Sequence, residues 1–126
     1  MNIRLFTLCD GAYNYNGKIT VVGTTDNIKV FKIPSKLTIG LAIKISFPPQ
    51  EYGEKRVSLR ILSPSNTDTI PPMNLPPTYS RGKEGEEARL VIAGNLQDIN
   101  IEEVGFYTVI LTVNGSEFSL PFKVFK

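Results

Sequence analysis

A chain of 126 residues, 41% hydrophobic and 21% charged, is most simply one domain that buries about two thirds of its unfolded surface, and disorder over most of it is not expected. Fourteen basic against 12 acidic residues give a net charge of +2. The two signs are interspersed, whereas nucleic-acid binders show a strong, clustered basic footprint, so no nucleic-acid partner is expected.

In chain order, the first apolar stretch is Leu5 to Cys9, interrupted by Thr7. It is too short for a signal-peptide core or a membrane span, and the expected location is the cytoplasm. IRLFTLC, KITVVG and IKVFKI read as three strands, the first two joined at Asn16-Gly17. Asn-Gly is the strongest short hairpin signal, because a type I′ turn needs positive φ at both central residues. LTIGLAIKISF puts Leu37, Ile39, Leu41, Ile43, Ile45 and Phe47 on one side, the alternation of a half-buried strand. RVSLRI repeats the pattern through Val57, Leu59 and Ile61. TIPPMNLPPTYSRGKEGEE, residues 69–87, holds four of the nine prolines. ARLVIAG is apolar at both parities, which fits a strand covered on both faces. FYTVILTV and EFSLPFKVF are the last two strands, joined at Asn114-Gly115. No segment shows a capped helical stripe. An all-β sandwich or barrel of about seven to nine mostly antiparallel strands is therefore expected, with no disulfide.

One local pattern narrows this to a sandwich. In EVGFYTV, Glu103, Gly105 and Tyr107 alternate and are followed by Val109. The motif resembles the tyrosine corner of immunoglobulin-like domains, in which a tyrosine early in strand F bonds back to the E–F turn. Val109 stands where antibody domains have a cysteine, and the chain has no tryptophan. In that frame residues 37–47 are strand B, 55–62 C, 87–97 E, 106–114 F and 117–125 G, and the Asn16-Gly17 hairpin elaborates strand A. The proline-rich stretch then falls at an edge strand, C′ or D. Prolines 71, 72, 76 and 77 lack the N–H that another sheet edge would pair with.

LCDGAYNYNGKITVVGTTDNI with Phe31 and Pro34, then LAIKISF, then a GxYxhxLxVNG-type hairpin at residues 105–115, resembles a family of small uncharacterised bacterial proteins. The resemblance implies a β-sandwich, no established activity, and no catalytic or ligand residues to transfer.

Chemistry is read mostly by exclusion. The absence of histidine removes Ser-His-Asp and Cys-His nucleophile systems, and with one cysteine it removes the usual zinc sites. Cys9, the one cysteine, cannot form an intrachain disulfide and reads as a small core residue rather than a reactive thiol. Gly17-Lys18 lacks the other residues of a phosphate loop. Asp98, Glu102 and Glu103 lack a calcium-loop spacing, and acidic turns commonly serve solubility, so neither a metal nor a cofactor is expected. Asn114-Gly115-Ser116 matches a glycosylation sequon but reads as the hairpin turn. Lys44, Arg56 and Arg60 would share a basic face only if residues 37–47 and 55–62 formed a simple hairpin. The prolines never fall three apart, so a PxxP ligand is absent.

What remains is a non-enzymatic, interaction or structural module whose expected partner is protein, either a second copy or another chain. Tyr79, Arg81 and Lys83 are the candidate contact residues, since tyrosine and arginine favour interfaces. The alternative is a carbohydrate or small-ligand domain using the 48–54 and 78–86 loops, with Tyr52 stacking on a sugar.

Overall fold

A computed structural model describes residues 1–80 and 83–126, and the side chains of residues 78–80 lie outside that description. Among the described residues there are eleven strands: β1 (Asn2–Tyr15), β2 (Lys18–Thr24), β3 (Asn27–Lys29), β4 (Ser35–Phe47), β5 (Gly53–Lys55), β6 (Val57–Leu62), β7 (Met73–Asn74), β8 (Thr78–Ser80), β9 (Ala88–Ile101), β10 (Gly105–Val113) and β11 (Ser116–Phe125). One sheet has the order β2-β1-β4-β9 and the second β3-β11-β10-β6-β7, while β5 and β8 form a separate pair. Every pairing among them is antiparallel except that of β3 with β11.

The two inner faces make the core. The odd-numbered face of β4, from Ile39 to Phe47, is buried against Leu59 and Ile61 of β6, Val109 and Leu111 of β10, and Phe122 and Val124 of β11. Each such side chain contributes about 1.5–3 kcal/mol relative to remaining in water. The pairing expected of an immunoglobulin-like order is present: the B strand (β4) pairs with E (β9), and F (β10) pairs with both C (β6) and G (β11). The all-β class with two sheets and no disulfide is the one read from the sequence. Eleven strands among the described residues stand in place of the seven to nine expected, because the 55–62 segment divides and the short β7 and β8 add to the count. Both Asn-Gly turns have positive φ at both positions: 51° and 78° at Asn16 and Gly17, 48° and 86° at Asn114 and Gly115. The Tyr107 hydroxyl donates to the Glu103 carbonyl at 2.7 Å, closing the corner. Gly105 between them has φ 133°, a conformation that side chains other than glycine's rarely adopt.

Several elements differ from the sequence expectation. The 55–62 segment is two strands, not one. It breaks at Arg56, whose N–H donates to Oδ1 of Asn114 at 2.8 Å. β5 then pairs with β8, whereas β6 pairs with β10. β9 runs on to Ile101, and β1 to Tyr15. Since β4 and β6 belong to different sheets, Lys44 does not share a face with Arg56 and Arg60.

The length of β1 has a structural use. It pairs with β4 only as far as Cys9–Gly40, but its ladder with β2 continues to Tyr15–Lys18. Although β4 separates β1 from β9 in the sheet, the Ala12 N–H donates to Oδ1 of Asn95 on β9 at 3.3 Å. The hairpin therefore folds over the outer face of its own sheet. There Ala12, Ile19 and Val21 cluster with Leu5, Cys9, Ala42 and Ala93. Ala93, at the second parity of ARLVIAG, is covered in this way.

The proline-rich stretch crosses between the sheets. Asn100 donates through its N–H and Nδ2 to the Thr69 carbonyl at 3.3 and 3.2 Å, and Thr69 in turn bonds the Ile61 carbonyl through its N–H and hydroxyl. The chain then forms β7, an edge strand on β6 only two residues long, with Pro71 and Pro72 before it and Pro76 and Pro77 after it. This is the expected edge strand, kept short by residues that cannot extend the ladder.

Candidate functional site

Tyr52 and Lys83, both named from the sequence, fall in one lobe. Tyr52 follows a single 3₁₀ turn, Pro49–Glu51. Its hydroxyl is shared between the Lys83 carbonyl, at 3.0 Å, and the Glu86 carbonyl. β5 and β8 pair with Glu54 opposite Tyr79, so the 48–54 and 78–86 loops are joined. Lys55 anchors the base of the lobe: its Nζ donates to the Glu51 carbonyl and lies 4.3 Å above the Phe47 ring centroid. Lys83 is exposed. Arg81 lies outside the described residues, as does the Tyr79 side chain. Tyr52 thus serves as a clasp on the 83–86 turn. Tyr52→Phe is expected to weaken the turn by about 0.5–1.5 kcal/mol. Hydrogen exchange at residues 83–88 would then speed by about two- to tenfold, with the β10 amides unchanged.

Ser65 Oγ donates to the Glu103 carboxylate, 2.8 Å from each oxygen. No group of three metal-binding side chains converges among the described residues. A cleft of about 590 Å³ lies between Ile70–Met73 and the Asn95–Asp98 segment of β9. Asp98 is the one carboxyl group among its described lining residues.

Cys9 is buried beneath the folded-over hairpin. Burial pushes its thiol above the usual range, which keeps the nucleophilic thiolate scarce. An aromatic disulfide reagent at pH 7.5 should leave Cys9 unmodified in the native protein and titrate one thiol per chain in denaturant. Rapid native modification would mean that the hairpin opens.

A surface not singled out by the sequence reading stands out on the second sheet. Tyr107, Phe122 and Val124 face the core, so Phe106, Lys123 and Phe125 face outward, with Lys29 of β3 opposite Phe125. Phe31, two residues beyond β3, is 88% exposed, Phe106 63% and Phe125 39%. Phenylalanine has no polar tip, and leaving a ring in water forgoes about 1.5–3 kcal/mol of burial. Tyr13 and Tyr15, also exposed on the β1–β2 hairpin, can at least wet a phenol. The alternation in GFYTV and FKVF puts Phe106 and Phe125, unlike Phe122, at the parity opposite to the core.

The fold and its surface define a small β-sandwich domain with an exposed aromatic face. The chain belongs to a family of unknown function, DUF6941, whose model matches residues 4–125. A comparison with curated proteins finds no match. Among solved structures, the chain is similar to the Pseudomonas fluorescens alkylpurine DNA glycosylase AlkC bound to DNA containing an abasic site analog. The TM-score is 0.62 at 13% identity, covering 98% of this chain and 30% of that one. This likeness is one of fold, and the chain spans under a third of the glycosylase's length. No helix among the described residues is long and apolar enough to cross a membrane.

Proposed function

We propose that this domain is a non-enzymatic binding module of the cytoplasm that docks a protein partner on the outer face of β3, β11 and β10. The observation that carries this reading is the exposure of Phe106 and Phe125 on one face, with the exposed Phe31 ring beside Lys29 just beyond β3. Contacts with a partner give those rings the burial that the fold withholds. Aromatic side chains of this kind anchor protein interfaces. A sandwich similar to this one forms part of a much longer enzyme, which also suits a modular role.

A second reading places a carbohydrate or other small ligand on the Tyr52 lobe, favoured by the β5–β8 pairing that unites its two loops. Photo-crosslinking in cells separates the two. A photoreactive amino acid at position 106 should give adducts of discrete mass, and one at position 86 should not. Small-molecule adducts at 86 alone favour the lobe. Adducts at neither position remove the module reading.

A further inference from the structure

We infer that the partner presents an acidic, apolar segment to this face, with carboxylates seated on Lys29 and Lys123 and hydrophobic side chains on the phenylalanines. The inference rests on the binding-module reading and adds the partner's chemistry to it.

Register creates the pattern. Phe106 lies opposite Lys123, Lys123 opposite Asn27, and Phe125 opposite Lys29. Aromatic ring and ammonium therefore alternate across three strands. Lys123 Nζ lies 5.9 Å from the Phe106 ring centroid, and Lys29 Nζ lies 6.0 Å from that of Phe31, at the outer reach of a cation–π contact.

Three arginines off this face are neutralised by carboxylates of the chain itself. Arg4 pairs with Glu87, Arg56 with Glu54 and Arg60 with Asp68. Lys29 and Lys123 have no carboxylate partner among the described residues. Two unneutralised ammonium groups set among exposed rings complement a segment that is itself part acidic and part apolar.

Other anions fit less well. Phosphate recognition favours the planar guanidinium fork, and Arg4, Arg56, Arg60 and Arg89 all lie off these three strands. Asp26 borders the face next to Asn27 and would repel a continuous polyanion.

The partner lies on the face rather than extending the sheet at Asn27. β3 turns the Asp26 carbonyl and the Val30 N–H toward β11, at 2.8 and 2.9 Å. The Asn27 groups point the other way and are closed by Thr25: its hydroxyl donates to the Asn27 carbonyl at 2.8 Å and accepts from the Asn27 N–H at 3.3 Å.

The test pans a random twelve-residue peptide library, displayed on phage, against the full chain. Enriched peptides should combine Asp or Glu with Phe, Leu or Trp. Affinity of the best peptide, read by fluorescence anisotropy, should fall at least about tenfold in Lys29→Glu/Lys123→Glu and in Phe106→Ser/Phe125→Ser. Unchanged thermal midpoints would show that both variants remain folded. Neutral or basic winners, or acidic winners indifferent to both variants, overturn the inference and leave the module reading to the crosslinking result. Oligo(dT) or phosphatidylserine vesicles that bind in place of any acidic peptide, and lose binding in the same variants, overturn it in favour of a phosphate-bearing partner. A library that yields no enriched peptide overturns it as well, and together with absent adducts at position 106 it removes both readings.

Discussion

Tyr107→Phe is expected to lower the stability of the domain by about 1–3 kcal/mol at neutral pH, and Tyr107→Ala by about 3–5 kcal/mol. The tyrosine ring is fully buried and stacks on Phe122 with centroids 5.4 Å apart, so the alanine variant leaves a cavity between β10 and β11. Phenylalanine keeps the ring and deletes only the hydroxyl that bonds the Glu103 carbonyl at 2.7 Å. The difference between the two variants separates packing from the hydrogen bond. Chemical denaturation at pH 7 reads both. A phenylalanine variant as stable as the native chain would mean that water replaces the hydroxyl at the corner.

The same side chain carries a pH signature with a definite sign. Burial pushes the Tyr107 phenol above its usual value of 10.0, outweighing the opposing pull of the backbone hydrogen bond at Glu103. The folded state therefore binds the phenolic proton more tightly than the unfolded chain does. This contribution is fully present below pH 10 and is lost as pH rises from there through the folded-state value. Tyr107→Phe has no such proton, so the stability gap between native and variant should narrow above pH 10. A gap that stays constant to pH 11 would contradict the assignment.

Much of the fold was legible because single faces are covered by single partners. The alternation of LTIGLAIKISF gives its buried side directly, and the two Asn-Gly turns fix the hairpins they join. Tyr107 announces itself because a corner needs an ordered trio of residues in a short span. The folded-over hairpin was not legible, since nothing local in GAYNYNG says which face of a sheet it will cover. The only trace was the second apolar parity of ARLVIAG, which demands a cover without naming it. The split at Arg56 depends on Asn114, a contact between residues far apart in sequence. The aromatic face is of the same kind. Phe106, Phe125 and Lys29 are brought together only by register between strands, so a reading along the chain sees ordinary aromatic β-residues. The lobe around Tyr52 was half visible: its loops were named, but their union is a pairing between β5 and β8.

Gly40→Ala should cost about 1–3 kcal/mol and should loosen the hairpin selectively. A Cβ at this position would stand 2.7 Å from Cys9 Sγ and 3.0 Å from both the Cys9 carbonyl oxygen and the Gly11 carbonyl carbon. The sulfur can rotate aside, but the two backbone atoms can move only with the strand. β1 must therefore lift from β4 where the hairpin begins to cross the sheet. Hydrogen exchange should rise across residues 11–22 while the β10–β11 ladder stays protected, and Cys9 should become reactive toward the disulfide reagent. Adding Cys9→Ala to Gly40→Ala removes the sulfur contact alone, so it should recover only part of the lost stability. Full recovery would place the strain in the sulfur and leave the strand crossing unconstrained. Unchanged exchange at residues 11–22 in Gly40→Ala would show that glycine is not what seats the hairpin on the sheet.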